Sequence, residues 1–497
     1  MKVEVTMSHR PWGLAAALLL AACQELPPPA PSVPPSLEVA PVQASTPEPT
    51  EAPMPLPAAG LVAPGGRLAF QARPAERLGL LLGNPTDTPA HLRLEVAPEG
   101  ADPSPSPTPS GSPAPSPEPT LAPDAPEPLS PFGQGFSGPS FAGLPVPILG
   151  TSERVPPTRR VAAASDPQTE FWINDGDATL EGDRRRAARQ RLVSPHVIFY
   201  VDAEADATVP QAELERLSKA FEQQILPRLA PVFGEPTLES GDRVAVVLSP
   251  WIGQAANRKG MMGYFWPRDV LPPAGGDKDL RQHSNQRHAL FISTKLLEQP
   301  DVTAYGTLAH EYQHLLMFDA KSRSDGTPHT EETWLDEGFA MLAMDLAGYG
   351  LPGGDRFVSG EVAAFRKDPA AYSLTDWTHN PNGYSYGLSY LFVRYLVDRY
   401  GTGVVREIQQ TPAVGVAGLN QVLTKRGDAF PQVFVDWANA AWRSPDGLAA
   451  LRLTGPKAPD LRPWGVAPVE VLGPRSLALV NGDRPVVTFD KTEGGLP

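Results

Sequence analysis

The prolines of this 497-residue chain are concentrated towards its N-terminus, and this distribution limits which segments can form a packed core. Of the 60 prolines, 28 fall between Gln24 and Ser130. Proline lacks a backbone N–H, and the Pro-rich stretches show no apolar periodicity. We therefore expect residues 23–60 to form an extended stalk and residues 101–165 to form a disordered linker.

Between these two Pro-rich tracts, residues 61–100 contain short apolar runs separated by turn-forming residues, which predicts a small β-module. The runs are Arg67–Phe70, Leu78–Leu82 and His91–Val96. Residues 446–497 contain two further strand-like runs, Ser476–Val480 and Pro485–Phe489. These two runs predict either a separate C-terminal β appendage or strands that pair with the upstream sheet.

The first 22 residues have the pattern of a bacterial export signal, in which basic residues precede the short apolar segment Trp12–Ala22. The segment ends in Leu20-Ala21-Ala22-Cys23, which resembles the lipoprotein box. The resemblance implies cleavage before Cys23 and attachment of lipid to its sulfur. We expect an exported protein held at a membrane of the bacterial envelope through Cys23; the alternative is an ordinary secretory signal that happens to contain a cysteine.

Cys23 is the only cysteine, which excludes a disulfide framework and a thiolate metal cluster in a monomer. The formal net charge is −14, so acidic residues outnumber basic ones over the whole chain. Nucleic acid is therefore not an expected partner.

Residues 166–445 have the pattern of an α+β domain, in which a mixed sheet precedes a mainly helical lobe. Apolar residues at helical spacing predict a first helix within Pro210–Leu229. The predicted strands are His196–Val201, Arg243–Leu248 and Ala289–Ser293. The later predicted helices are Val302–Phe318, Thr330–Ala347, Tyr386–Tyr400 and Phe430–Trp442.

One of these helices contains His310-Glu311-Tyr312-Gln313-His314, which matches H-E-x-x-H. Residues four apart lie on one face of a helix, so both imidazoles can reach one metal ion with the Glu311 carboxylate beside it. Catalytic zinc has three protein ligands and keeps one position open for water. A third ligand must therefore come from another segment.

The next predicted helix supplies candidates for that ligand. Ala320 occupies the position of the third histidine in the metzincin pattern, so that pattern fails. Glu337 lies 23 residues after His314, beyond a polar loop that allows two helices to turn back on each other. Glu331 and Glu332 compete with it on the same helix, although helix capping or solvent exposure is the expected role of both.

The two helices together resemble the gluzincin metallopeptidases, and they are most similar to the hyicolysin-type bacterial family. The residues that carry the resemblance are H-E-Y-Q-H-L at 310–315 and E-T-W-L-D-E-G at 332–338, within a similar region of about 193–401. The resemblance implies a Zn²⁺ ion held by His310, His314 and Glu337, and Glu311 as the general base. It implies a protein or peptide substrate, and endopeptidase activity is preferred because the chain has no Gly-x-Met-Glu-Asn segment.

Other residues have less specific roles in this interpretation. Asp336 is expected to accept a hydrogen bond from a ligand histidine. Tyr386, or else Tyr384 or His379, is a candidate for stabilising the oxyanion, although tyrosines at helical spacing are more often packing residues. His283 and His288 lie near the strand Ala289–Ser293, which as a sheet edge would pair with an extended peptide; we expect both histidines to be solvated.

Two alternatives remain open. The acidic turn Asn174–Asp177 is either a calcium site or, as we expect, an ordinary turn. The whole chain is either a zinc endopeptidase or a catalytically silent surface lipoprotein that acts as a binding or adhesion module. A fourth protein ligand at the metal would favour the second reading.

Overall fold

The computed structural model describes most of 168–443 and short strands on either side of it. The gaps within 168–443 are 239–240, 256–260, 274–278, 327, 352–353, 378–379 and 381–384. The flanking ranges are 2–7, 16–22, 58–62, 67–71, 78–84, 92–97, 463–471 and 486–487. The chain divides into two compact units, one formed by Met1–Gly133 with Arg452–Pro497 and the other by Gln134–Leu451.

The elements are numbered in chain order. The strands are β1 (Lys2–Met7), β2 (Ala16–Ala22), β3 (Ala58–Val62), β4 (Arg67–Gln71), β5 (Leu78–Gly83), β6 (Leu92–Ala97), β7 (Gln168–Asn174), β8 (Asp183–Val193), β9 (Val197–Asp202), β10 (Val244–Ser249), β11 (Gly263–Phe265), β12 (Ala289–Ser293), β13 (Val466–Val471) and β14 (Val486–Val487). The helices are α1 (Gln211–Ala220), α2 (Leu226–Phe233), α3 (Asp301–Asp325), α4 (Thr333–Leu346), α5 (Arg356–Lys367), α6 (Tyr386–Tyr400), α7 (Gly403–Gln409), α8 (Gly415–Leu423) and α9 (Phe430–Arg443).

The first unit contains two four-stranded antiparallel sheets, in the orders β14-β6-β1-β4 and β13-β5-β2-β3. The three runs predicted within 61–100 form β4, β5 and β6. The C-terminal strands β13 and β14 pair with β5 and β6, so the C-terminal segment joins the sheets of the predicted β-module. The sequence reading missed β13, and Ser476–Val480 lies outside the described residues.

Strands β1 and β2 lie within the predicted export signal, and β3 begins inside the predicted stalk. Cys23 and the predicted linker 101–165 lie outside the described residues. Export and lipidation therefore stay predictions. Among the helices that the structure describes, none is long and apolar enough to cross a membrane.

The second unit contains a six-stranded mixed sheet in the order β11-β12-β10-β9-β8-β7. The three central strands β9, β10 and β12 are parallel, and the strands outside them are antiparallel. All residues of β10 and β12 are buried, as expected for the continuous apolar runs of parallel strands. The predicted α+β class is confirmed at this level.

The sequence reading placed Ala289–Ser293 at a sheet edge, and this was wrong. That strand is β12, which lies between β10 and β11, so the edge on this side is the three-residue strand β11. The expectation of solvated histidines was also wrong. His283 stacks on Trp172 at 3.7 Å and its Nδ1 lies 2.8 Å from Asp183 Oδ2, and His288 is buried.

The four later helices predicted from the sequence correspond to α3, α4, α6 and α9. The first predicted helix forms α1 and α2, which are joined by a π-helical turn at Phe221–Ile225. Helix α3 packs beside β11 and β12 and against α4. It ends at Gly326, whose φ of 78° gives the left-handed conformation that commonly closes a helix.

Helix α4 is held close to α6 by Gly338. A side chain at this position would place its Cβ 3.0 Å from the carbonyl oxygen of Ser389, so glycine is what allows the two helix backbones to approach. Gly338 directly follows Glu337. The close packing of α4 against α6 at Gly338 therefore also fixes the position of Glu337.

Candidate metal centre

The H-E-x-x-H segment lies in the middle of the 25-residue helix α3. His310 and His314 are both buried, and their ring centroids are 4.8 Å apart at an interplanar angle of 80°. This is the arrangement expected for residues one helical turn apart. Both imidazoles are therefore presented to the neighbouring helix α4.

Glu337 of α4 faces the two histidines. Its Oε2 lies 3.1 Å from His310 Nε2 and 3.5 Å from His314 Nε2, and its side chain is fully buried. One ligand atom from each of the three residues lies within 4.8 Å of the other two. Within the described part of the chain, no other group of three His, Cys, Asp or Glu side chains converges in this way.

The hydrogen bonding of these residues fits a metal ion. Both ring nitrogens of His314 and both carboxylate oxygens of Glu337 are buried without a well-formed hydrogen bond. Buried polar groups are normally satisfied, and an orphaned cluster of this size is costly. Two imidazoles and one carboxylate form the donor set of a catalytic zinc site, so the residues present fit Zn²⁺.

The charged groups of the cluster shift one another's pKa values. Burial alone would raise the pKa of Glu337, but the positive charge of His314 and the close imidazole of His310 outweigh it and lower the pKa to about 2. Burial alone would lower the pKa of His314, but Asp336 and Glu337 raise it well above its ordinary value. The protein therefore presents an anionic carboxylate to the site.

Glu311 lies beside this cluster and is 4% exposed. Burial raises the pKa of its carboxyl group, the charges of His310 and His314 oppose that rise, and a hydrogen bond from the Phe265 backbone N–H also opposes it. Its Oε2 has no hydrogen-bond partner. The residue thus has one carboxylate oxygen free to accept a proton at the centre.

Asp336 lies behind His314, where the sequence placed a supporting carboxylate. Its Oδ2 is 3.1 Å from His314 Nδ1, on the opposite side of the ring from Glu337. A carboxylate at this place orients a ligand imidazole and fixes which nitrogen faces the metal.

The competing candidates Glu331 and Glu332 are directed elsewhere. Glu331 is buried, contrary to the expectation of solvent exposure, because its Oε2 pairs with Lys321 Nζ at 2.8 Å. Glu332 occupies the N-cap position of α4 without a side-chain capping bond, and its carboxylate accepts a hydrogen bond from the Trp334 indole at 2.7 Å. The structure gives neither residue a place in the three-residue cluster.

Tyr386, the candidate for stabilising the oxyanion, begins helix α6 and is buried. Its ring packs edge-on against Phe357 and Trp377, with ring centroids 5.2 Å away in each case. These are the contacts of a packing residue, and the catalytic role stays a prediction. The two other candidates, Tyr384 and His379, lie outside the described residues.

The acidic segment Asn174–Asp177 forms a turn closed by its own side chains. Asn174 Oδ1 accepts hydrogen bonds from the backbone N–H groups of Gly176 and Ala178, and Asp175 Oδ1 accepts one from that of Asp177. This is the usual way in which Asn and Asp stabilise a turn. The segment therefore forms a turn, and the calcium alternative is not tested by these contacts.

Strand β11 brings two residues to the centre that the sequence reading did not assign. Gly263 lies next to the Glu311 side chain, and Phe265 directs its backbone N–H at the Glu311 carboxylate. A strand of three residues is too short to show an alternating apolar pattern in the sequence. A backbone N–H group is present in every residue except proline, so the sequence does not mark which one acts as a donor.

Comparison with known proteins gives a partial match. No protein-family model matches the chain. Over 296 residues the chain is 25% identical to the neutral metalloprotease ShpI of Staphylococcus hyicus, an alignment that covers 56% of this chain and 64% of the relative. The chain thus spans less than two thirds of the length of that relative. The likeness and the His-His-Glu cluster together support placing the chain among the metallopeptidases.

Proposed function

We propose that the protein is a zinc-dependent endopeptidase. The observation that carries the proposal is the convergence of His310, His314 and Glu337 within 4.8 Å, with the Glu311 carboxylate beside them. Three protein ligands leave a position open, as catalytic zinc requires, whereas structural zinc is usually closed by four. The metalloprotease relative agrees with this reading.

Zinc in this site would supply a Lewis acid that polarises the peptide carbonyl and lowers the pKa of water towards ~7. Proton transfer during the reaction is carried out by a side chain of the protein. Glu311 accepts the proton of the attacking water on a carboxylate oxygen and then donates it to the leaving amine nitrogen. His310, His314 and Glu337 hold the metal, and Asp336 orients His314.

Among the described strands, none pairs with the outer edge of β11, and this edge provides a place for the substrate backbone. The Met262 carbonyl oxygen accepts a hydrogen bond from the Ser293 N–H at 2.8 Å, so the peptide groups of Met262 face β12. Because backbone groups alternate along a strand, those of Gly263 face the open edge. An extended peptide that pairs with this edge would pass beside Glu311.

The test compares the full chain with its Glu311→Gln variant in zinc content and in cleavage of casein, an unstructured protein. We expect both to bind one zinc ion and only the unchanged protein to cleave, with activity reduced about 10²–10⁴-fold in the variant. If both bind zinc and neither cleaves, the silent binding or adhesion module is the better reading. If neither binds zinc, the ligand assignment is wrong.

We also propose that the protein is exported and held at a membrane of the bacterial envelope by lipid on Cys23. The support is the position of the only cysteine directly after an apolar signal-like segment. Mass spectrometry of the N-terminal peptide from native membranes tests this. A mature chain that begins with an acylated Cys23 is expected, and an unmodified cysteine or an intact N-terminus would contradict it.

A further inference from the structure

We propose that strand β11 positions the Glu311 carboxylate, through the absence of a side chain at Gly263 and through the backbone N–H of Phe265. The inference rests on the proposed role of Glu311 as base. The H-E-x-x-H motif alone does not determine where the base lies. Strand β11 at the edge of the sheet positions Glu311, in addition to helix α3, which carries it.

The first observation is the space around Gly263. A Cβ atom at this position would lie 3.1 Å from Glu311 Cγ, 3.0 Å from Ile292 Cδ1 and 3.2 Å from the carbonyl oxygen of Phe291. Carbon atoms in favourable contact are about 3.5–4.0 Å apart. A side chain at 263 would therefore push on Glu311, on Ile292 or on the strand backbone, and one of them would have to shift.

Backbone conformation does not explain this glycine. Gly263 is absent from the glycines with positive φ, and it lies in an extended strand that other residues adopt readily. Glycine weakens a strand interior, and its presence there often marks a close approach of neighbouring groups. The groups that approach here are the side chains of Ile292 and Glu311 and the carbonyl oxygen of Phe291.

The second observation is how β11 is anchored to α3. Phe265 lies on the same face of the strand as Gly263, and its ring packs 6.0 Å from that of Phe318. Phe318 follows Glu311 by seven residues, which is two helical turns and places both on one face of α3. Phe265 sets the distance between β11 and α3, and Gly263 leaves room between them for the Glu311 carboxylate.

The third observation is the donor. Gly263 and Phe265 alternate with Tyr264, so their backbone groups point away from β12. The Phe265 N–H is therefore not used in the sheet and is directed at Glu311. A fixed donor on one side leaves the other carboxylate oxygen available to the water. Catalytic groups displaced by about 1 Å lose about 10²-fold in rate, so this support matters.

The first test is Gly263→Ala in the full chain, assayed with zinc content, kcat and KM on a fluorogenic peptide. We expect kcat to fall at least ~10-fold, with KM within about 2-fold and zinc content unchanged. An unchanged kcat would overturn the inference. Equal losses of zinc and activity would also overturn it, because the substitution would then act on the metal ligands.

Ile292→Val separates the two crowded neighbours of Gly263. It removes Ile292 Cδ1 and leaves the contact with Glu311 Cγ. In the double variant Gly263→Ala/Ile292→Val, we expect the loss of kcat to persist. If Ile292→Val restores kcat, the glycine serves strand packing and not the position of Glu311.

A readout that does not depend on activity keeps the inference testable if the protein does not cleave. The amide resonance of Phe265 is observed in protein labelled with ¹⁵N-phenylalanine and is assigned by its loss in Phe265→Leu. We expect this resonance to move in Glu311→Gln and, where the variant folds, in Gly263→Ala. If Glu311→Gln leaves it unchanged, Phe265 does not hold Glu311, whatever the outcome for the proposed peptidase activity.

Discussion

Asp336 and Asp345 are two buried carboxylates on the same helix with different partners. Asp336 faces His314 Nδ1 at 3.1 Å, whereas Asp345 accepts a hydrogen bond from the Tyr390 hydroxyl at 3.0 Å and pairs with Arg394. Removing a carboxylate behind a metal ligand typically costs 10–100-fold in metal affinity. We expect Asp336→Asn to weaken zinc binding by about that factor, as measured by competition with a chelator.

Asp345→Asn is the matched control, because it makes the same substitution two and a half turns along α4. We expect it to reduce the free energy of unfolding and to leave zinc affinity unchanged. Equal zinc affinities in the two variants would show that Asp336 does not orient His314.

The carboxyl group of Glu361 should make the stability of the protein depend on pH. This group is half-buried in α5, and burial raises its pKa from 4.5 to about 7; among the described residues no cation is paired with it. The folded protein therefore keeps the proton up to about pH 7, whereas the unfolded chain releases it near 4.5. The folded state binds more protons in this window, so the contribution of Glu361 to stability falls as the pH rises through it.

We expect the Glu361→Gln variant to lack this decline in stability with rising pH. Relative to the unchanged protein, the free energy of unfolding of the variant should rise between pH 5 and pH 8 by about 1–2 kcal/mol, a value discounted for partial exposure. Urea unfolding at several pH values measures it. The exposed Glu215→Gln is the control, and a Glu361→Gln curve parallel to that of the unchanged protein would contradict the prediction.

Much of the metal centre could be predicted from residue spacing. Four-residue spacing fixes His310 and His314 on one helix face wherever that helix lies, and a polar loop of limited length brings Glu337 back to them. The burial of Glu331 could not be predicted in this way. It depends on Lys321, which lies two turns after His314, and on a loop some 80 residues downstream that closes over both.

At the scale of elements, the Lys321–Glu331 pair joins the end of α3 to the segment before α4. Lys321 Nζ lies 2.8 Å from Glu331 Oε2 and also donates to the carbonyl oxygens of Ile408, Thr411 and Ala413. Both side chains are fully buried. Since α3 and α4 carry the metal ligands, the pair helps to fix how the two helices meet.

Lys321→Met would leave the Glu331 carboxylate buried and uncompensated. We expect a loss of about 3–5 kcal/mol in the free energy of unfolding, and partial recovery in Lys321→Met/Glu331→Met, in which no charge remains. Urea unfolding measures both. Arg323→Met is the control: its pair with Asp319 is half exposed, so it should cost less than ~1 kcal/mol. A double variant no more stable than Lys321→Met would contradict the account.

The sequence predicted elements whose apolar pattern is continuous and missed those whose pattern is broken. The buried strands β9, β10 and β12 and the helices α4, α6 and α9 were predicted to within three residues at each end. Helix α3 continues seven residues beyond its predicted end at Phe318, to Asp325. Strand β8 was missed because it is rich in arginine, and partners such as Asp202 and Glu204, which pair with Arg186, could not be seen in the sequence. Strand β11 was missed because it is too short, and its place at the sheet edge depends on topology.

At the scale of the whole molecule, the candidate metal centre lies entirely within the unit Gln134–Leu451. We expect a chain limited to 134–451 to bind one zinc ion and to cleave casein at a rate within about 2-fold of the full chain, because all ligands and their described partners lie in that range. Zinc content and initial rates measure this. Loss of zinc in a folded, shortened chain would show that the first unit contributes to the site.

The most direct test of the central claim is anomalous diffraction at the zinc absorption edge from crystals of the full chain. We expect one strong peak within about 2.0–2.3 Å of His310 Nε2, His314 Nε2 and a Glu337 oxygen, with no fourth protein ligand. A peak at another place, or a fourth side chain that closes the coordination, would contradict a catalytic zinc centre.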